Sequence, residues 1–138
     1  MIRYVCLVAA CALLVSALGC CPAKHRLAGT WEMVFPMKSG ETPISHPQTV
    51  LRGLKLLNDT HFAFGFWTTD GQIFAGGGRY ALDGKTYTET IDYHFNPALV
   101  GMIIPFDCIL QDSLWYHSGA FEAAGQPMQV NEVWRRIK

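Results

Sequence analysis

The chain has no excess charge of either sign, with 11 Lys and Arg against 11 Asp and Glu. It has no basic run either, and a nucleic-acid partner is therefore not expected. Long helical periodicity is missing, and so are internal repeats, low-complexity tracts and any sign of a second domain. The five histidines, His25, His46, His61, His94 and His117, show no metal-ligand spacing such as H-E-x-x-H or paired Cys. Gly76-Gly77-Gly78 precedes a strand pattern rather than a helix, so it is no phosphate loop. Ser118 beside His117 makes no catalytic pair, because adjacent strand residues point to opposite faces. No cofactor is expected.

Cysteine is scarce where a disulfide framework would need it. Cys6, Cys11, Cys20 and Cys21 fall at the N-terminus, which leaves Cys108 alone in the body of the chain. Cys108 lies in an apolar strand pattern and reads as a small buried hydrophobe. Before it come Arg3, an apolar run from Val5 to Leu18, and small residues ahead of Cys20. That is the pattern of an export signal, too short to span a bilayer as a mature helix. Ala17-Leu18-Gly19-Cys20 resembles the lipobox of bacterial lipoproteins, although Leu is commoner than Ala three positions before the Cys. The resemblance implies a diacylated Cys20 at a new N-terminus, held at the membrane of a bacterial cell envelope, expected to be the outer one, by acyl burial. Ordinary secretion without a lipid is the plainer alternative. The expected division is residues 1–19 signal peptide, 20–28 anchor and tether, and 29–138 a single domain.

What the chain has is a strand pattern. Asp83-Gly84 is a two-residue hairpin signal. Centred there, the register sets Tyr80 opposite Tyr87, Gly78 opposite Glu89 and Gly76 opposite Ile91. Alternation then puts Tyr80, Leu82, Tyr87, Glu89, Ile91 and Tyr93 on one lining face. Further strands are expected from Gly29, over Thr49 to Leu57, His61 to Trp67, Val100 to Leu110, Leu114 to Ser118 and Gln129 to Ile137. Phe62, Phe64 and Phe66 share a face of the third. Pro36 to Pro47 reads as a loop, either a lid at the barrel mouth or a plain connection, Gly119 to Pro127 as another loop with room for a helical turn, and Pro105 belongs at a bulge or an edge. About eight consecutive antiparallel strands make an all-β fold, an up-and-down barrel closed around side chains or one small ligand.

Gly29-Thr30-Trp31 near the start, with Arg135-Arg136 at the end, resembles the lipocalin-type barrel signature. More of the chain agrees: GGGRYALDGKTYTETIDY, then LVG, LWYHSG and EVWRRI. Together they look like a lipocalin-like (calycin-type) family of unknown function among secreted bacterial lipoproteins. The resemblance implies that Trp31 plugs the closed end and that Arg136, in phase with Trp134 and Glu132, lies over its ring. It brings no established activity.

Glu89 is the acid to explain. An ionised carboxylate turned inward among tyrosines needs a cation, hydroxyls or a ligand donor. Its role is either a structural link to Arg52 or Arg136, or a ligand contact. The glycine run beside it either leaves room for that ligand or bends the sheet. The candidate ligand-binding set is Glu89, Tyr87, Tyr93, Tyr80, Trp134, Phe62, Phe64 and Tyr116, around a small apolar or aromatic molecule. His94 and His117 could meet in space near the ribbon ends. The first reading is a membrane-anchored binding protein rather than an enzyme. The second is a barrel filled by its own side chains that meets an envelope partner through its loops. An enzymatic reading would need Glu89 or His94 as acid or base. A connected cavity of a few hundred Å3, roughly what a small-molecule site needs, reaching Glu89 would favour the first reading over the second.

Overall fold

The computed structural model describes residues 26–34 and 50–138. The expected signal, Cys20 and the loop over residues 36–47 lie outside the described residues. Eight strands follow one another: β1 (Gly29–Met33), β2 (Val50–Leu57), β3 (His61–Thr68), β4 (Ile73–Asp83), β5 (Thr86–His94), β6 (Ile103–Gln111), β7 (Leu114–Ala123) and β8 (Gln126–Ile137). Each pairs antiparallel with its neighbour, and β1 closes onto β8. The protein is an all-β, closed up-and-down barrel. A short 3-10 turn at Pro97–Leu99, capped by the Asn96 side chain, joins β5 to β6.

Two-residue turns join β4 to β5, β6 to β7 and β7 to β8. Gly84 and Lys85 form the central one, since Asp83 pairs Thr86, and of the two only Gly84 takes a positive φ. The turn is therefore one residue further along than Asp83-Gly84. The register becomes Leu82 opposite Tyr87, Tyr80 opposite Glu89 and Gly78 opposite Ile91. Because the shift moves each pairing by two residues, inward and outward faces are unchanged up to Ile91. The expected loop from Gly119 to Pro127 is instead a continuation of β7 and β8, joined at Ala124-Gly125, both at positive φ. Small residues there suited a strand because β7 packs tightly: a Cβ at Gly119 would stand 2.7 Å from the Phe106 ring. Pro105 pairs Thr88 on β5, while the β6–β7 ladder begins only at Asp107. It occupies a stretch where β6 has no partner on its other side, so its missing N–H costs no ladder bond.

Beyond Ile91 a bulge intervenes. Gly78 pairs Ile91 but Gly77 pairs Tyr93, so Asp92 is the extra residue. A bulge residue inverts every side chain after it. Tyr93 therefore points outward, where it is 53% exposed, and His94 points inward against Gly76. A Cβ at Gly78 would lie 2.0 Å from the Thr90 carbonyl oxygen and 2.7 Å from the Asp92 nitrogen. Gly78 thus admits the bulge, which identifies the glycine run's part in bending the sheet.

One end is sealed. Trp31 is buried, donates through Nε1 to the Leu27 carbonyl at 2.9 Å, and carries the Arg136 guanidinium 4.2 Å from its ring centre. Arg136 also donates to the Ala28 and Arg26 carbonyls, tying the entering chain across the floor. Above it Trp31, Trp115, Tyr87 and Trp134 form the centre of the core.

Candidate functional site

β2 contributes the residue that organises the interior. Lys55 follows the outward-inward alternation of its strand and lands inside with Gly53 and Leu57. Its Nζ donates to Glu89 Oε1 at 2.8 Å, with both side chains buried. Four rings surround the ammonium: Phe62, Tyr87, Trp115 and Trp134 have centroids 5.1 to 5.5 Å from Nζ. The aromatic cage compensates part of the ammonium's desolvation, and the carboxylate compensates the rest. Glu89 is therefore linked to Lys55. Arg52 lies outside, on Glu32 at 3.3 Å, and Arg136 belongs to the floor.

A second polar pair stands on β7 and β8. His117 Nδ1 lies 2.9 Å from Glu132 Oε2, and the Trp134 indole donates to the same oxygen at 2.7 Å. That oxygen acts as an acceptor, so the imidazole carries its proton on Nδ1 and presents a lone pair at Nε2. His117 Nε2 is buried and has no hydrogen-bond partner. Burial pushes the His117 pKa below its ordinary value, and the Lys55 charge pushes it the same way, which keeps the ring neutral. Burial likewise lowers His94, whose Nδ1 accepts from the Asn96 backbone. The Tyr87 phenol is pushed well up, first by burial and then by Glu89 beside it, so it stays protonated.

Both pairs open onto one cavity at the unsealed end, about 90 Å3 in volume. Its polar wall is Lys55, Glu89, His94, Asn96, His117 and Glu132; Phe64, Phe66, Phe106, Phe121, Met128 and Trp134 supply much of the apolar wall. The cavity reaches Glu89, yet it is well below the few hundred Å3 of a drug-sized site. It has room for a small leading group, with the half-buried Phe64, Phe121 and Met128 around the way in.

The eight candidate ligand residues divide three ways. Glu89, Trp134 and Phe64 line the cavity. Tyr87, Phe62 and Tyr80 are core: Tyr87 and Phe62 pack edge to face, and the Tyr80 hydroxyl donates to the Asn58 carbonyl near the floor. Tyr93 and Tyr116 face outward, against expectation. The bulge inverts Tyr93, which borders an outer groove with Asp92, Leu56 and Ala63. Tyr116 alternates with the buried Trp115 and His117 and is left outside. His94 and His117 line the same cavity, but no contact joins the two rings. Among the described residues no group of His, Cys, Asp and Glu is placed to hold a metal. Cys108 is buried, and burial raises its pKa to about 11, which makes it a poor nucleophile.

Sequence reasoning passed over Lys55 and the pairing of His117 with Glu132. The signal for Lys55 was present, because a lysine in phase with Gly53 and Leu57 breaks the apolar side of β2.

A family model for DUF4488, a domain of unknown function, matches residues 26–138. The chain belongs to this family. The match spans the whole barrel of the DUF4488 domain, from the strap over Trp31 to the end of β8. Family and barrel together agree with the calycin-type resemblance. No curated protein and no solved structure gives a significant match to the chain.

Proposed function

We propose that this DUF4488 protein is a membrane-anchored, extracytoplasmic binding module for a small apolar or aromatic ligand, and not an enzyme. The cavity carries the reading: a largely apolar wall at the open end of a barrel, with a few polar groups converging at its base. The ligand would place one small group inside and keep its body among Phe64, Phe121 and Met128. The Lys55–Glu89 pair and the His117–Glu132 pair hold the base rigid, so little ordering is required on binding. The lipobox-like Ala17-Leu18-Gly19-Cys20 supports the address: a bacterial cell envelope, reached by export and kept by acylation of Cys20.

Native mass spectrometry of protein purified from its own host tests this. A discrete adduct, lost on denaturation and absent from a Val130→Phe variant that fills the cavity, is the expected result. A bare mass in both proteins rejects it. The filled-barrel interaction module is the second reading, and the modest size of the cavity favours it. A bare mass would leave that reading standing.

A further inference from the structure

His117 Nε2 is out of place for a filled core. A buried nitrogen lone pair without a donor loses its hydration and gains nothing in return, and folded proteins rarely leave one. Much of the same interior is paired: Lys55 with Glu89, the Trp134 indole and His117 Nδ1 with Glu132, the Tyr80 hydroxyl with Asn58. The Tyr87 hydroxyl and Trp115 Nε1 also lack a partner, but neither residue lines the cavity. His117 Nε2 belongs to a ring on the cavity wall. Glu132 holds that ring from behind at 2.9 Å and sets its tautomer, and Phe106 lies edge-on to it at 4.3 Å. The imidazole is therefore oriented before anything arrives.

The surrounding charges narrow what can arrive. Glu89 and Glu132 both border the cavity and disfavour an anion, while the Lys55 ammonium is already engaged by Glu89 at 2.8 Å. An acid-headed molecule would meet two carboxylates and a lone pair. A hydroxyl or amine would meet an acceptor.

We propose that His117 Nε2 is the anchor of the binding site and accepts a hydrogen bond from the ligand, so that the ligand class is an alcohol, phenol or amine on an apolar body and not an acid. This rests on the binding reading above and names the head group that reading leaves open. At about 90 Å3 the cavity takes that head and a few carbons.

Three probes with one aromatic body decide it: 2-phenylethanol, its methyl ether and 3-phenylpropionate. They are titrated against the full barrel by tryptophan fluorescence and by 15N NMR of the histidine rings. The alcohol is expected to bind at least about ten-fold more tightly than the ether, the scale of one hydrogen bond to a buried acceptor. The acid should bind more weakly than either. The His117 Nε2 resonance should move with the alcohol and stay with the ether. A His117→Phe variant should bind alcohol and ether alike; if it does not fold, the wild-type comparison and the nitrogen shift still decide. Equal affinity for ether and alcohol, or preference for the acid, overturns the anchor but leaves a binding barrel. Failure of all three probes to bind at millimolar concentration overturns the anchor and the binding reading together.

Discussion

Lys55 Nζ and Glu89 Oε1 meet 2.8 Å apart in the middle of the barrel, both closed off from solvent. Neither could be tolerated there alone. The ammonium sits in a cage of four rings, so the pair links β2 to β5 across the interior and holds the aromatic centre in register. Everything at the cavity base is built on top of it.

Breaking that pair one-sidedly should be costly. Lys55→Met leaves Glu89 buried without its cation and is expected to lower unfolding free energy by about 3–5 kcal/mol. The double variant Lys55→Met with Glu89→Leu should recover most of the loss, because an apolar replacement of both partners removes the stranded charge. Urea denaturation of the three proteins measures this. A single variant as stable as the double would show that the pair contributes little.

Stability should rise with pH through the histidine range. His117 and His94 have pKa values below 6.5 when folded and near 6.5 when unfolded. The unfolded chain therefore takes up protons that the folded barrel refuses, and stability falls as pH drops below about 6.5, levelling only below the folded-state values. About one unit above that pH the two rings are neutral in both states and add no slope. Lys55, Glu89, Glu132, Tyr87 and Tyr80 face the same interior, and the window to be measured runs from about pH 5 to 7.5, around the ordinary histidine value. Denaturant midpoints across that window should show the slope, and His117→Gln should flatten part of it.

The bulge can be tested at its tightest point. Gly78→Ala sets a methyl group 2.0 Å from the Thr90 carbonyl oxygen, against backbone that has nowhere to go. A loss of at least about 3 kcal/mol is expected from such a backbone clash. By contrast Gly71→Ala, with open space around its Cβ but a φ of +82°, should cost only about 1 kcal/mol. Thermal melts of the two variants compare them directly.

Arg136 should resist conservative exchange. Its planar guanidinium covers Trp31 and reaches two carbonyls of the chain entering β1 at once, and an ammonium cannot do both. Arg136→Lys is expected to cost about 1–2 kcal/mol and to speed protease cleavage near Arg26. Limited trypsinolysis followed by mass spectrometry reads out both.

The address has its own test. Metabolic labelling with an alkyne fatty acid in a bacterial host should mark the wild-type protein and leave a Cys20→Ser variant unmarked. Label retained by Cys20→Ser would place acylation elsewhere.

Much of the fold is readable from local chemistry. Alternating apolar and polar residues define each strand, and a period of two leaves one lining face per strand. The floor of Trp31 and Arg136 is what the lipocalin-type resemblance of Gly29-Thr30-Trp31 and Arg135-Arg136 implies, and periodicity alone does not reach it. Tyr80, Tyr87, Glu89, Phe62 and Phe64 follow from that periodicity, and Trp134 from the lipocalin-type pattern of the last strand. Tyr93 does not, because the extra residue at Asp92 is a contact between two backbones and inverts all that follows. The strand over Gly119 to Pro127 was hidden because Gly and Pro weaken a local strand signal that the β7–β8 ladder restores.

The sequence by itself determined most of the strands, the all-β class and the presence of an inward acid. Only the tertiary structure decided who meets that acid. Lys55 lies 34 positions before Glu89, and His117 lies 15 before Glu132. His117 and Glu132 stand opposite each other in the β7–β8 ladder, so hairpin register selects that pair. β2 and β5 do not pair, and only closure of the barrel brings Lys55 and Glu89 together across the interior, where each buried charge finds its opposite.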